Sequence, residues 1–328
     1  MNIDPQQLLS KTINETNLPN SVLNRKQADR FIDLVIDHSI LLKNVRTRKV
    51  DHAKGEINKL NLGSIVTEGA NVGLTSVSTR TPSESKVDYD TVKYRSAFDL
   101  VTDFVEDNIE GAGVRDTLLG MFSKRIAIDL ELAAIEGDSS LTTGDAQSDS
   151  NNLLGANDGF LKILDDNVPA GQKLDANGTA SSKKLFHDAK RKVPIRFRVA
   201  MPDYRWLVSP SVHDKWELDT SDRATNAGDS ALVGQFISRP YGIPLFEVPL
   251  MPDDLTIGTT ATDGTKIPLT PLNNLIWFIQ RDITIEWDRQ PRSDSWEVTI
   301  HTRADAQVED SNMVVLTNNI SEGGTDYA

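Results

Sequence analysis

The side chains that could do chemistry in this chain are few and poorly grouped. Cysteine is absent, which removes disulfides, thiolate nucleophiles and sulfur-ligated zinc together. The five histidines, His38, His52, His187, His213 and His301, are scattered without metal-ligand spacing. Acidic clusters at 145–149 and 253–254 lack the regular alternation and closing glutamate of a calcium loop. Two Ser-x-x-Lys matches, at 83–86 and 181–184, lie in polar segments. Such a pair activates serine only when it is desolvated, so both read as chance. Residues 111–116, GAGVRD, come nearest to a dinucleotide fingerprint but place aspartate where the third glycine belongs. No phosphate loop, H-E-x-x-H or G-x-S-x-G occurs. General acid–base pairs converge only in three dimensions and leave no trace in sequence. The chain nominates no catalytic, cofactor-binding or metal-binding residue, and the expectation is a protein that is not an enzyme.

Charge points the same way. The formal net charge is −13, whereas nucleic-acid binders usually present a basic face. One basic strip exists, Lys183, Lys184, Lys190, Arg191, Lys192, Arg196 and Arg198; it reads as a solvated strip beside a strand. No run approaches the roughly 18–20 apolar residues that cross a bilayer, and the first residues lack the pattern of a signal peptide. A soluble protein without a membrane partner is expected.

The elements that would position any site divide the 328 residues unevenly. Residues 1–23 are polar and patternless, an arm. A helix is expected over 24–43, with Phe31, Leu34, Val35, His38, Leu41 and Leu42 on one stripe. A strand follows around Val92, Tyr94, Phe98 and Leu100. The strongest helix spans 114–136, with Val114, Leu118, Phe122, Ile126, Leu130 and Ala133 facing a core and Glu131 among the polar sides. Gly137 is expected as a left-handed cap. Residues 138–182 read as a loop with one short helix, and 181–192 as a helix stopped by Pro194. Strands are expected at 196–201, 206–208 and 243–250, helical pieces at 213–218 and 230–236, and an exposed loop at 253–267. A late antiparallel set covers 275–279, 283–287, 296–300 and 313–316, with a turn at 289–294. The class is mixed α+β.

Residues 45–96 are too polar for a core and have no helical period. Short alternations, Val72 with Leu74 and Val87 with Tyr89, recur between glycines 55, 63, 69 and 73. They suggest a two-stranded excursion that needs a neighbour to lie on, since an isolated hairpin is marginal in water. Its charges, Arg46, Arg48, Lys49, Glu56, Lys59, Glu68, Arg80, Glu84 and Lys86, are the candidate assembly contacts.

Several stretches, in order, resemble the major capsid proteins of tailed bacteriophages, the Hong Kong 97-type family. They are YDTVKYRSAFDLVTDFVED at 89–107 and ELAAIEGD at 131–138. WLVSP at 206–210, LVG at 232–234 and YGIPL at 241–245 follow. RADAQV at 303–308 and MVVL at 313–316 close the set. The resemblance implies a Hong Kong 97-type capsid fold. An N-terminal arm and helix would occupy 1–44, and an extension loop, a β-hairpin, 45–96. The peripheral domain would take 97–200 with its spine helix at 114–136, the axial domain 201–274, and the return strands 275–328. It further implies a non-enzymatic head-shell subunit found in the virion, with no cofactor. Its partners would be copies of itself in hexamers and pentamers, a separate scaffolding protein, a portal protein and a decoration protein, around DNA bound without sequence specificity. Assembly would take place in the host bacterial cytoplasm. The rival readings are a nanocompartment shell of the same fold, a motif-poor enzyme and a sheet-rich binding protein.

Overall fold

The computed structural model describes residues 39–61, 83–101, 114–141, 143, 148–221, 239–257, 261–280 and 284–321. Helix α1 (Leu41–Asn44) leads into β1 (Arg46–Val50). The hairpin strands β2 (Lys54–Asn61) and β3 (Ser83–Asp90) and then β4 (Val92–Val101) come next. The long helix α2 (Val114–Glu136) is followed by α3 (Asp149–Leu154) and α4 (Phe160–Asn167). Strand β5 (Lys173–Asp175) and α5 (Lys183–Lys192) precede a 3-10 helix, Ile195–Asp203. Then run β6 (Tyr204–Val208), α6 (Pro210–Ser221), β7 (Leu245–Glu247), β8 (Leu255–Ile257) and β9 (Ala261–Pro271). The chain closes with β10 (Leu275–Gln280), β11 (Thr284–Gln290), β12 (Ser295–Val308) and β13 (Val315–Ser321).

Two sheets organise the body. In the first, β12 is the shared strand: it pairs antiparallel with β11 over 295–301, with β4 over 295–304 and with β10 over 304–308. Strand β1 adds to β10 in parallel. Side chains alternate across a strand, so Leu275, Trp277 and Ile279 of β10 enter the main core beneath α2 and α4, while Ile276 and Phe278 point to the opposite face. Covered on both sides, β10 reads LIWFIQ without a break. Helix α2, about 35 Å long at 1.5 Å per residue, buries Ile126, Ala127, Leu130, Ala134 and Ile135 in that core. Phe122 stacks on Phe98 of β4.

The second sheet runs β5-β13-β9-β6-β7, with β8 on β9. Its own core gathers Tyr204, Trp206, Val208, Ile267 and Leu269 against α5 and α6. Phe186 of α5 meets Trp206 and Trp216 edge-on, at 5.0 and 5.1 Å between ring centres. Asp165 on α4 ties the two cores: its carboxylate holds Lys266 of β9 and accepts from Asn318 of β13, and its carbonyl accepts from Lys173 of β5.

Several expectations are corrected here. Residues 46–50 are not part of an excursion, because β1 is a strand of the first sheet, and 92–96 lie in β4. Residues 138–182 hold two helices, α3 and α4, plus β5. The stretch 196–201 is 3-10 helix rather than strand; its flanking prolines, 194 and 202, remove ladder donors. The strand expected at 243–250 shrinks to β7. The loop expected at 253–267 is β8 and most of β9, whose Thr265 and Ile267 are buried. Gly137 is absent from the positive-φ residues. Glycine is needed there because an added Cβ would fall 2.4 Å from the Asn157 carbonyl oxygen, where the carbonyl of Gly137 takes the Gly159 amide. Of the helix expected at 24–43, α1 is the described end; Phe31, Leu34, Val35 and His38 lie outside the described residues, as do 72–74 and 230–236.

Candidate assembly surface

Strands β2 and β3 pair with each other in an antiparallel register from Lys54↔Asp90 to Asn61↔Ser83, and form a two-stranded sheet of their own. Because alternate residues share a face, the hairpin has two different sides. Lys54, Glu56, Asn58, Lys86, Asp88 and Asp90 are exposed, whereas Ile57, Val87 and Tyr89 turn toward the body. The inward side rests on Val50 of β1 and on Ile276 and Phe278, the face of β10 away from α2. Tyr89 stacks on Phe278 with 4.7 Å between ring centres. Gly55 lies opposite Tyr89, and a Cβ there would sit 2.3 Å from the tyrosine hydroxyl. Glycine lets the ring lie flat across the strand.

The foot of the hairpin is closed by hydrogen bonds. The Thr91 amide and hydroxyl both donate to the Ala53 carbonyl, at 2.8 and 3.0 Å. One residue earlier, the Asp90 amide donates to the buried carboxylate of Asp305, at 2.8 Å.

On the outward side, Lys86 Nζ lies 2.7 Å from Glu56 and 3.7 Å from Asp88, and Lys54 lies 2.6 Å from Asp90. The Glu56 carboxylate, helped by Asp88, raises the Lys86 ammonium above its ordinary range. Pairs this exposed contribute little to folding. They make a mixed-charge strip on a ledge.

The structure sorts the nine candidate contacts. Glu56 and Lys86 are brought together, and Glu84 is exposed beside them. Lys59 borders an open cleft of about 670 Å³ between the hairpin and the 3-10 helix, with Arg46, Arg196 and Glu309 among its other walls. Arg46 pairs with Glu309 at 2.9 Å. Arg48 and Lys49 are exposed on β1 rather than on the hairpin. Glu68 and Arg80 lie outside the described residues.

Among the described residues no cluster of histidines and carboxylates could hold a metal, and no helix is long and apolar enough to cross a membrane. Ser182 is the N-cap of α5. The basic strip lies on α5 and on the 3-10 helix that runs into β6. Several of its cations serve backbone carbonyls: Lys190 that of Tyr241, Lys192 that of Gly171 and Arg198 that of Arg191. Residues 111–113 of the glycine-rich match lie outside the described residues.

Two buried carboxyls and one half-buried one escaped the sequence. Glu131, expected on a polar side of α2, is 3% exposed and accepts the amides of Ile40 and Leu41 at 2.8 and 2.7 Å. It caps the start of α1 from ninety residues away, a role its neighbours in sequence do not signal. Glu136, at the end of α2, is pushed up to about 7 by burial and then by Asp254. Asp305 is the third, and burial raises it as well.

No protein-family model matches the chain. A protein of Bacillus subtilis (strain 168) named as a prophage capsid protein, YqbE, is 28% identical over 304 residues, 92% of this chain and 93% of its own. The procapsid of satellite phage P4 that includes the size-determination protein Sid superposes with a TM-score of 0.66 at 17% identity, over 96% of both chains. The holo-SrpI encapsulin complex of Synechococcus elongatus PCC 7942 matches at 0.55 and 10% identity, over 98% and 97%. The fold is therefore the Hong Kong 97-type capsid fold, α+β with a long central helix and a projecting hairpin. Within that class the sequence is similar, over nearly its whole length, to the B. subtilis prophage capsid protein.

Proposed function

We propose that the chain builds the icosahedral head shell of a tailed phage, enclosing double-stranded DNA, with copies of itself in hexamers and pentamers as the principal partner. The observation that carries this is the hairpin: two strands with a charged outer face, anchored among the described residues at the foot and by Ile57, Val87 and Tyr89. Such a ribbon is marginal in water by itself, and a second copy is the natural support for its outer part. In this reading the hairpin serves as the extension loop, 97–200 with α2 and the return strands 275–328 form the peripheral domain, and 201–274 form the axial domain. Contacts through Glu56, Glu84 and Lys86 would each be weak, about 0–1 kcal/mol. Repetition around a closed shell multiplies them while leaving each reversible.

The protein performs no catalysis in this reading and takes no cofactor. A separate scaffolding protein, a portal protein and a decoration protein complete the set of partners. The shell assembles in the host bacterial cytoplasm and ends in the virion. The net charge of −13 suits a lining that repels the packaged genome and leaves it mobile. A nanocompartment shell is the second reading, motivated by the encapsulin likeness. Negative-stain microscopy of the purified protein tests both. Closed shells are expected, and nucleic acid rather than protein cargo inside particles from lysate separates the phage head from the compartment. A compact monomer at every concentration refutes both.

A further inference from the structure

The geometry points to Asp305 as the residue that positions the hairpin for assembly. Asp305 sits on β12 and is 1% exposed. One carboxylate oxygen accepts the Asp90 amide at 2.8 Å, where β3 leaves the hairpin. The other accepts the Asn157 side-chain amide at 2.7 Å, in the turn between α3 and α4. Gln307, two residues along β12, donates to both oxygens at 3.4 and 3.2 Å. The body, the hairpin foot and the turn beside α2 therefore meet on a single side chain.

Two features separate this from ordinary satisfaction of a buried polar group. The first is the absence of a counter-charge: among the described residues no lysine, arginine or histidine forms an ion pair with Asp305. A buried carboxylate held only by neutral donors costs more desolvation than an apolar residue of similar size would. That cost is consistent with a role in specifying geometry. The second is the partner set. Asp90 is the last hairpin residue; the neighbouring Thr91–Ala53 bonds close the foot, and the Thr91 hydroxyl also reaches Gln280 of β10 at 3.4 Å. The Asp90–Asp305 bond, at 2.8 Å, is the shorter of these two ties between foot and body. Tyr89 on Phe278 fixes the distance of the ribbon from β10, and Asp305 fixes its direction. A ribbon of eight paired positions rising about 3.3 Å each turns a small angular error at the foot into a displacement of several ångströms at its far end. A neighbour would feel that displacement.

The assembly consequence rests on the shell reading; the anchoring itself does not, and the experiment separates them. Hydrogen exchange on the unassembled chain reads the Asp90 and Thr91 amides. Asp305→Asn is expected to speed exchange at Asp90 about tenfold, the loss of one charge-assisted bond, and to give irregular or open particles. The swap Asp305→Asn with Asn157→Asp restores one acceptor facing one donor at each contact. It is expected to recover slow exchange and closed shells. If Asp305→Asn does not fold, Asn157→Ala removes one outer donor alone and should loosen Asp90 less. Unchanged exchange in Asp305→Asn or in Asn157→Ala, or a swap no better than the single variant, overturns the assignment. If the unsubstituted chain forms no shells, the shell reading fails while exchange still decides the anchor.

Discussion

All six residues of β10 are buried, whereas among the described side chains of the hairpin leaning on it only Val87 is. The two are in contact, through Tyr89 on Phe278, yet they answer different physical demands. Strand β10 is apolar on both faces because it separates two packed layers, and its sequence is consumed by folding. The hairpin is apolar on one face and charged on the other. Its inward side chains rest on the body, and the outward ones pair with one another in water, where a second copy is proposed to meet them. Under the proposed function, folding strength and assembly capacity reside in neighbouring elements, and three substitutions test whether they change separately.

The contrast can be broken first at the core. Trp277→Ala in β10 removes a ring that is 2% exposed; it is expected to lower stability by about 3–5 kcal/mol, read as a large fall in the urea midpoint. A fall under about 1 kcal/mol would mean that β10 is not the seat of stability. The next effect depends on pH and also belongs to the body. The folded Glu136 carboxyl is raised from 4.5 to about 7, so its protonated form favours the fold. That contribution is complete below about 4.5 and fades as pH rises through about 7. Glu136→Gln should therefore match the parent near pH 5 and exceed it near pH 8 in urea titrations. A constant gap would refute the assignment. The smallest effect on stability is expected at the hairpin. Lys86→Glu places a third carboxyl beside Glu56 and Asp88; the urea midpoint should hold while the yield of shells falls. Equal loss of both would erase the distinction between the regions.

Much of the body was legible in the sequence. Helix α2 was bounded correctly because Ile126, Leu130 and Ala133 repeat at helical spacing over many turns. Strands β10 and β12 showed because LIWFIQ is continuous and Trp296, Val298 and Ile300 alternate. Residues 253–267 misled because Thr, Gly and Asp look like a loop in isolation. Strand β9 exists because β13 and β6, distant in sequence, pair with its edges. The 3-10 helix at 195–203 misled in the other direction, since Ile195, Phe197 and Val199 mimic a strand, yet Ile195 and Val199 are 83% and 90% exposed. The candidate surface was half legible. Alternation at Val87 and Tyr89 located the ribbon, but Asp305 gains its meaning from partners far along the chain, and no local pattern records those.

The separation of 215 positions between Asp90 and Asp305 also imposes an order on biosynthesis. A ribosome finishes the ribbon long before it makes β12, so the first sheet must wait until residues 295–308 have been made. Until then β4 lacks the strand it pairs with, and the ribbon has no fixed bearing. A half-made chain thus carries the charged edge without the orientation that would let it recruit a finished copy. Under the shell reading proposed above, a chain still on the ribosome is therefore not yet fit to join its neighbours.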